Sequence, residues 1–134
     1  MHRPVARRHV ISSLWTMVAL NIAFADILGL YTPGTLPEVM SGVIEGVALS
    51  DNLMLIAAVF IQIPIAMIVA TQLLAARTLR LVSLVAVLVT ALFIIGGGSL
   101  KPHYIFFALC EIAALAAIAV LVWGEANAEP RRAD

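Results

Sequence analysis

Charge is scarce in this chain. Charged residues make up 12% of its 134 positions, about half of the ~25% usual in soluble globular domains. A water-soluble fold of this composition would lack the polar groups needed to cover its surface. Eight basic and eight acidic residues cancel to a formal net charge of +0, so no whole-chain field draws nucleic acid or acidic partners. Cysteine occurs once, as Cys110. A lone thiol makes neither an intramolecular disulfide nor a paired-thiol redox centre, and inside an apolar run it reads as a small packing residue. The signatures of soluble enzymes are missing too: there is no Gly-rich phosphate loop, no H-E-x-x-H and no Ser-His-Asp set. Gly96-Gly97-Gly98 does not follow a strand and lacks a phosphate-loop lysine. His2 and His9 sit in a basic N-terminal stretch and read as solvated or headgroup-facing. With no nucleophile–base pair and no metal-ligand set, the expectation is a non-enzymatic chain without metal or cofactor.

What the chain has in abundance is apolar sequence. Hydrophobic residues make up 63% and the mean hydropathy is +1.07. Four long runs, at about 10–31, 52–75, 79–98 and 103–123, are each near the ~20 residues that cross a ~30 Å hydrocarbon layer at 1.5 Å per residue. They occupy nearly the whole length, so residues 1–134 form a single membrane domain. The expected fold is all-α: an antiparallel bundle of four transmembrane helices, solvated by the lipid bilayer.

The basic residues set an expected orientation. Arg3, Arg7 and Arg8 precede the first run, Arg77 and Arg80 flank the second connection, and Arg131 and Arg132 follow the fourth run. Lys101 alone falls in the other two connections. By the positive-inside rule both termini are cytoplasmic and the loops 32–51 and 99–102 face outward. Ala23-Phe24-Ala25 also fits a signal-peptidase site. The apolar run continues through Ile27, Leu28, Leu30 and Tyr31, however, and this favours an uncleaved span. Trp15, Tyr31, Tyr104 and Trp123 lie near the ends of the first and fourth runs, as an interfacial aromatic belt requires.

The longest connection, 32–51, opens with a Pro33-Gly34 turn. Thr35 and Glu38 have capping-box spacing, with Pro37 in the first turn. Val39, Met40, Val43, Ile44 and Val47 follow at helical spacing, which predicts a short amphipathic helix over about 36–48, lying at the interface or over the bundle mouth. Gly42 and Gly46 have G-x-x-x-G spacing, read either as a close-packing pair or as turn glycines. Toward the other end of the chain, Gly96–Gly98 ends the third run and Pro102 blocks helix continuation. The turn 76–78 and the link 99–102 make the adjoining spans antiparallel neighbours. No internal repeat is evident, so an inverted-repeat transporter within one chain is not supported.

Candidate chemistry lies in the polar residues that lipid penalises. Asp26 and Glu111 are carboxylates within spans, and Asn21 and Gln62 are amides. A charge at the bilayer centre costs on the order of 2.5–3.5 kcal/mol on insertion scales, so such groups face the bundle interior or water. Helical rise places Asp26 about 7 Å inward of Tyr31, Glu111 about 12 Å inward of His103, and Gln62 about 15 Å inward of Asn52. Asp26, Glu111 and Gln62 are therefore expected around one outward-facing proton, cation or small-ligand site. Lys101 and His103 stand at its mouth. Asn21 is about 140° around the helix from Asp26 and need not share its face. Pro64, mid-span, removes a hydrogen bond and frees the Phe60 carbonyl, predicting a kink. The alternative for each acid is packing glue between helices.

Leu20–Leu28, Gln62–Met67 and Phe106–Ile112 resemble a family of small bacterial four-helix membrane proteins of unknown function, over about Leu14 to Trp123. The resemblance implies a helical bundle in a bacterial inner membrane and carries no activity. That family's pattern has an acid where Gln62 stands, a departure that bears on any proton relay here. Small multidrug exporters also have four short helices, a likeness of fold alone. Two functional classes follow. One is a structural, regulatory or lipid- or ligand-binding bundle, assembling through small-residue faces such as Ala25-x-x-x-Gly29 and Ala113-x-x-x-Ala117. The other is a proton- or cation-coupled small-solute carrier acting as a homo-oligomer.

Overall fold

The computed structural model describes residues 3–128; His2, Arg131 and Arg132 lie outside the described residues. Four long helices form the molecule: α1 (Arg3–Leu30), α3 (Asp51–Leu73), α4 (Ala76–Gly97) and α5 (Pro102–Ala128). They have 28, 23, 22 and 27 residues, lengths of about 33–42 Å at 1.5 Å per residue. Each is long and apolar enough to cross a membrane, so the fold fits an all-α multi-pass membrane protein. In lipid a helix is favoured because it satisfies every backbone N–H and C=O within one segment.

The helices pack in a ring. Helix α1 touches α3 and α5, and α4 touches the same two, so α1 and α4 face each other diagonally. The core is built from one apolar stripe of each: Ile11, Trp15, Val18 and Ile22 of α1, Met67 of α3, Leu79, Ala86 and Ile94 of α4, and Leu115, Ile118 and Val122 of α5. Phe60 of α3 stacks on Phe93 of α4 with ring centroids 5.1 Å apart. Pro64 lies inside α3, mid-span as the sequence predicts, and is buried.

The short connections hold one correction. Residues 76–78 are not a turn but the start of α4; the link is Leu74–Ala75, both in extended conformation. At the other end, α4 stops at Gly97 and α5 begins at Pro102, where a missing N–H costs nothing.

The connection between α1 and α3 is a short helix, α2 (Thr35–Ser41), followed by a two-stranded hairpin, β1 (Val43–Ile44) and β2 (Val47–Ala48). The helix expected to reach 48 thus ends at Ser41. Gly42 takes a left-handed φ of 83°, and its N–H closes the helix on the carbonyls of Glu38 and Val39. Glu45 and Gly46 both have positive φ, 49° and 81°, as a primed two-residue hairpin turn demands. Valine and isoleucine support the hairpin as readily as a helix. The capping box does not form either. Gly34 is the N-cap and provides no side-chain cap, while Thr35 is the first helical residue and accepts a hydrogen bond from Lys101 Nζ at 3.2 Å. Both Gly42 and Gly46 face open space, which makes them turn glycines rather than a packing pair.

Candidate functional site

The end of the bundle that carries the α1–α3 connection contains a cleft of about 80 Å³. Three helices line it, each with residues at helical spacing. From α1 come Ile22, Ala25 and Asp26, at offsets of three and four from the first. From α5 come Tyr104, Phe107, Ala108 and Glu111, one face of two turns. From α4 come Phe93, Ile94 and Gly97, with Gly98 just beyond its end. Small residues at Ala25, Ala108, Gly97 and Gly98 create the space, and α1 and α4, being diagonal across the ring, leave it open.

The two acids expected to meet do line this one cleft. Asp26 is exposed in the protein alone and its Oδ1 accepts a hydrogen bond from the Tyr104 hydroxyl at 3.2 Å. The Tyr104 ring packs onto the backbone of Gly29: a Cβ built there would lie 2.7 Å from the phenolic oxygen. The Ala25-x-x-x-Gly29 pair thus serves packing within the chain, with Ala25 buried and Gly29 under Tyr104. Glu111 is 3% exposed. Among the described residues nothing donates a hydrogen bond to it, although the site's other carboxylate has its tyrosine.

Other expected members stand elsewhere. Gln62 is exposed on the outward side of α3 and does not line the cleft. The freed Phe60 carbonyl does not join the site, because α3 and α5 do not pack together. Asn21 is half-buried, outside the cleft, with its amide nitrogen buried and unpaired. Lys101 turns away from the acids of the cleft: its ammonium lies 3.2 Å from Thr35 Oγ1 and 3.6 Å from Glu45 Oε1. Glu45 Oε1 also accepts from Ser99 Oγ at 2.9 Å, so the hairpin turn is strapped to the α4–α5 link. The His103 ring packs against Tyr104 with centroids 4.8 Å apart. Among the described residues no group of three or more His, Cys, Asp or Glu could hold a metal ion.

A second polar cluster, at the opposite end of the bundle, is one that sequence reasoning missed. Glu125 near the end of α5 is buried and meets two arginines of α1: Arg8 Nε donates to Oε1 at 3.2 Å, and Arg7 lies 3.7 Å from Oε2. Arg8 also donates to the carbonyls of Leu74 at 2.7 Å and Thr71 at 3.3 Å, capping the end of α3 where carbonyls lack helical partners. Ser12 adds a bond to the Ile68 carbonyl at 2.9 Å. Arg80 lies 3.3 Å from the centroid of the Trp123 ring, a cation–π contact. The available signal was the pair Arg7-Arg8 together with an acid at the far end of an antiparallel span.

Between the two clusters the interior is apolar at Val18, Leu115 and Ile118, with isolated unpaired polar atoms at Trp15 Nε1, Ser83 Oγ and Thr90 Oγ1.

Comparison with known proteins adds one finding. The family model described as a family of unknown function, DUF6326, matches residues 2–128. No curated protein and no solved structure matches the chain.

Proposed function

Since the chain belongs to DUF6326, a family of unknown function, we propose from its own geometry that it is a non-enzymatic membrane bundle that binds a small ligand in the cleft between α1, α4 and α5. The observation that carries this reading is the convergence of Asp26, Tyr104 and Glu111 on one opening. Lipid-buried carboxylates are costly, and packing alone would have been served as well by leucine. We also place the protein in a bacterial inner membrane with both termini cytoplasmic. The support is the clustering of Arg7, Arg8, Arg77 and Arg80 at one end of the bundle, with Lys101 at the other. The cleft then opens outward.

A melting-temperature screen in detergent tests the binding reading. At least one small solute should raise the melting point of the wild type and not that of Ala108→Leu, whose larger side chain fills the cleft. A screen in which no solute separates the two proteins would remove it.

A second reading, a proton- or cation-coupled carrier working as a homo-oligomer, draws on Gln62. An amide on the outward side of a lipid-facing helix is satisfied by a neighbouring copy more readily than by hydrocarbon. Flux into liposomes under an imposed proton or sodium gradient separates the two. The binding bundle shows none above empty vesicles; a carrier shows flux that Asp26→Asn and Glu111→Gln abolish.

A further inference from the structure

We propose that the ligand of the cleft is a small monovalent cation of the ammonium type, ammonium itself or a primary alkylammonium of few atoms. This rests on the ligand-binding reading above and specifies its chemistry.

The sign comes from the lining. Two carboxylates, Asp26 and Glu111, border the opening, and no basic side chain does. The lysine nearest in sequence, Lys101, is held by Thr35 and Glu45, and Arg7 and Arg8 are committed to Glu125 at the far end. Asp26 already accepts from Tyr104. Glu111, at 3% exposure and without a hydrogen-bond donor among the described residues, is an acceptor turned to the cleft. A buried carboxylate left in that condition is costly unless something donates to it. A primary ammonium brings three donors and the compensating charge together.

The walls narrow the class. Phe93, Phe107 and Tyr104 present aromatic surface to the same space, and aromatic faces attract ammonium and its methyl groups. Among the described residues no group of three or more His, Cys, Asp or Glu could hold a metal ion, so calcium or magnesium here would take most of its oxygen ligands from water. Size completes the argument. A cleft of about 80 Å³ admits a few waters or a ligand of a few heavy atoms, and excludes bulky quaternary ammonium ions.

The experiment uses the purified full chain in neutral detergent, titrated with methylammonium chloride. Methanol serves as the uncharged probe and tetrabutylammonium chloride as the oversized cation and ionic-strength control. Methylammonium should raise the melting temperature in a saturable way while the other two do not. Glu111→Gln should weaken the apparent affinity at least tenfold, and Ala108→Leu, which keeps both acids, should abolish the response. Glu111→Gln binding with wild-type affinity overturns the proposal. If Glu111→Gln fails to fold, an Ala108→Leu protein that still responds overturns it. A saturable response to methanol alone also overturns it, yet leaves the ligand-binding reading standing. Silence from every solute in the broader screen removes both.

Discussion

The Tyr104 hydroxyl reaches Asp26 across 78 residues of chain, at 3.2 Å, and the same ring lies directly on Gly29. One side chain of α5 thus fixes its register on α1 by a hydrogen bond at its tip and a glycine under its ring. Helix pairs in lipid gain little from apolar burial and depend on such close approach.

Gly29→Ala should therefore destabilise the bundle, because its Cβ would meet the phenolic oxygen at 2.7 Å; overpacking of this kind costs roughly 1–3 kcal/mol. Tyr104→Phe alone should cost about 0.5–1.5 kcal/mol for the lost hydrogen bond. In the double variant the two losses should sum to more than the measured total, since removing the hydroxyl relieves part of the clash. Unfolding free energies in mixed detergent measure all three. Strict additivity would show that Tyr104 and Gly29 do not act together.

At the arginine end, Glu125→Ala should be strongly destabilising, because it leaves two guanidinium groups beside an apolar cavity. Breaking a fully buried pair costs about 3–5 kcal/mol, and the partial exposure of both arginines places the expected loss at or below the lower bound. Arg8→Ala should cost more than Arg7→Ala. Arg8 bonds Glu125 and also caps the Leu74 and Thr71 carbonyls, whereas Arg7 makes one longer contact. An equal loss from the two arginine variants would contradict the capping role.

The strap formed by Glu45, Ser99 and Lys101 should act locally. Exposed ion pairs contribute about 0–1 kcal/mol, so Glu45→Ala should leave global unfolding nearly unchanged. Amide exchange at Val43, Ile44, Val47 and Ala48 should quicken several-fold, because the turn loses its tether. Mass-spectrometric hydrogen exchange reads this directly. Unaltered exchange across the hairpin would show that the backbone turn alone sets its stability.

Ser50 caps α3, its hydroxyl accepting from Leu53 N–H at 3.2 Å. Ser50→Ala should cost about 1 kcal/mol, and Ser50→Asp should restore the loss. Detergent unfolding of the pair checks the cap, and a silent Ser50→Ala would refute it.

Much of this architecture is legible in the amino-acid sequence. Long apolar runs declare the four helices, and counting 1.5 Å steps inward places Asp26 and Glu111 at the same end, where they line one cleft. Rotation about each helix is harder to read. Helix α3 is apolar on nearly every side, so nothing in its sequence says which face Gln62 occupies, and the residue points outward instead of inward. The α1–α3 connection misleads for a related reason. Val43, Ile44 and Val47 suit a strand as well as a helix, and Glu45-Gly46 lacks the Asn-Gly signature that marks a primed turn. The cluster at Glu125 escapes notice because that acid sits beyond the apolar run, where sequence suggests only a solvated tail.

Arg8 is synthesised 117 positions before its acid, Glu125, and 66 positions before the Leu74 carbonyl it caps. A nascent chain therefore carries the Arg8 guanidinium without its acid until those 117 positions have been added. Only the last stretch of α5 allows that end to close. A chain that stops short of Glu125 keeps its four apolar helices but lacks the acid that latches Arg7 and Arg8.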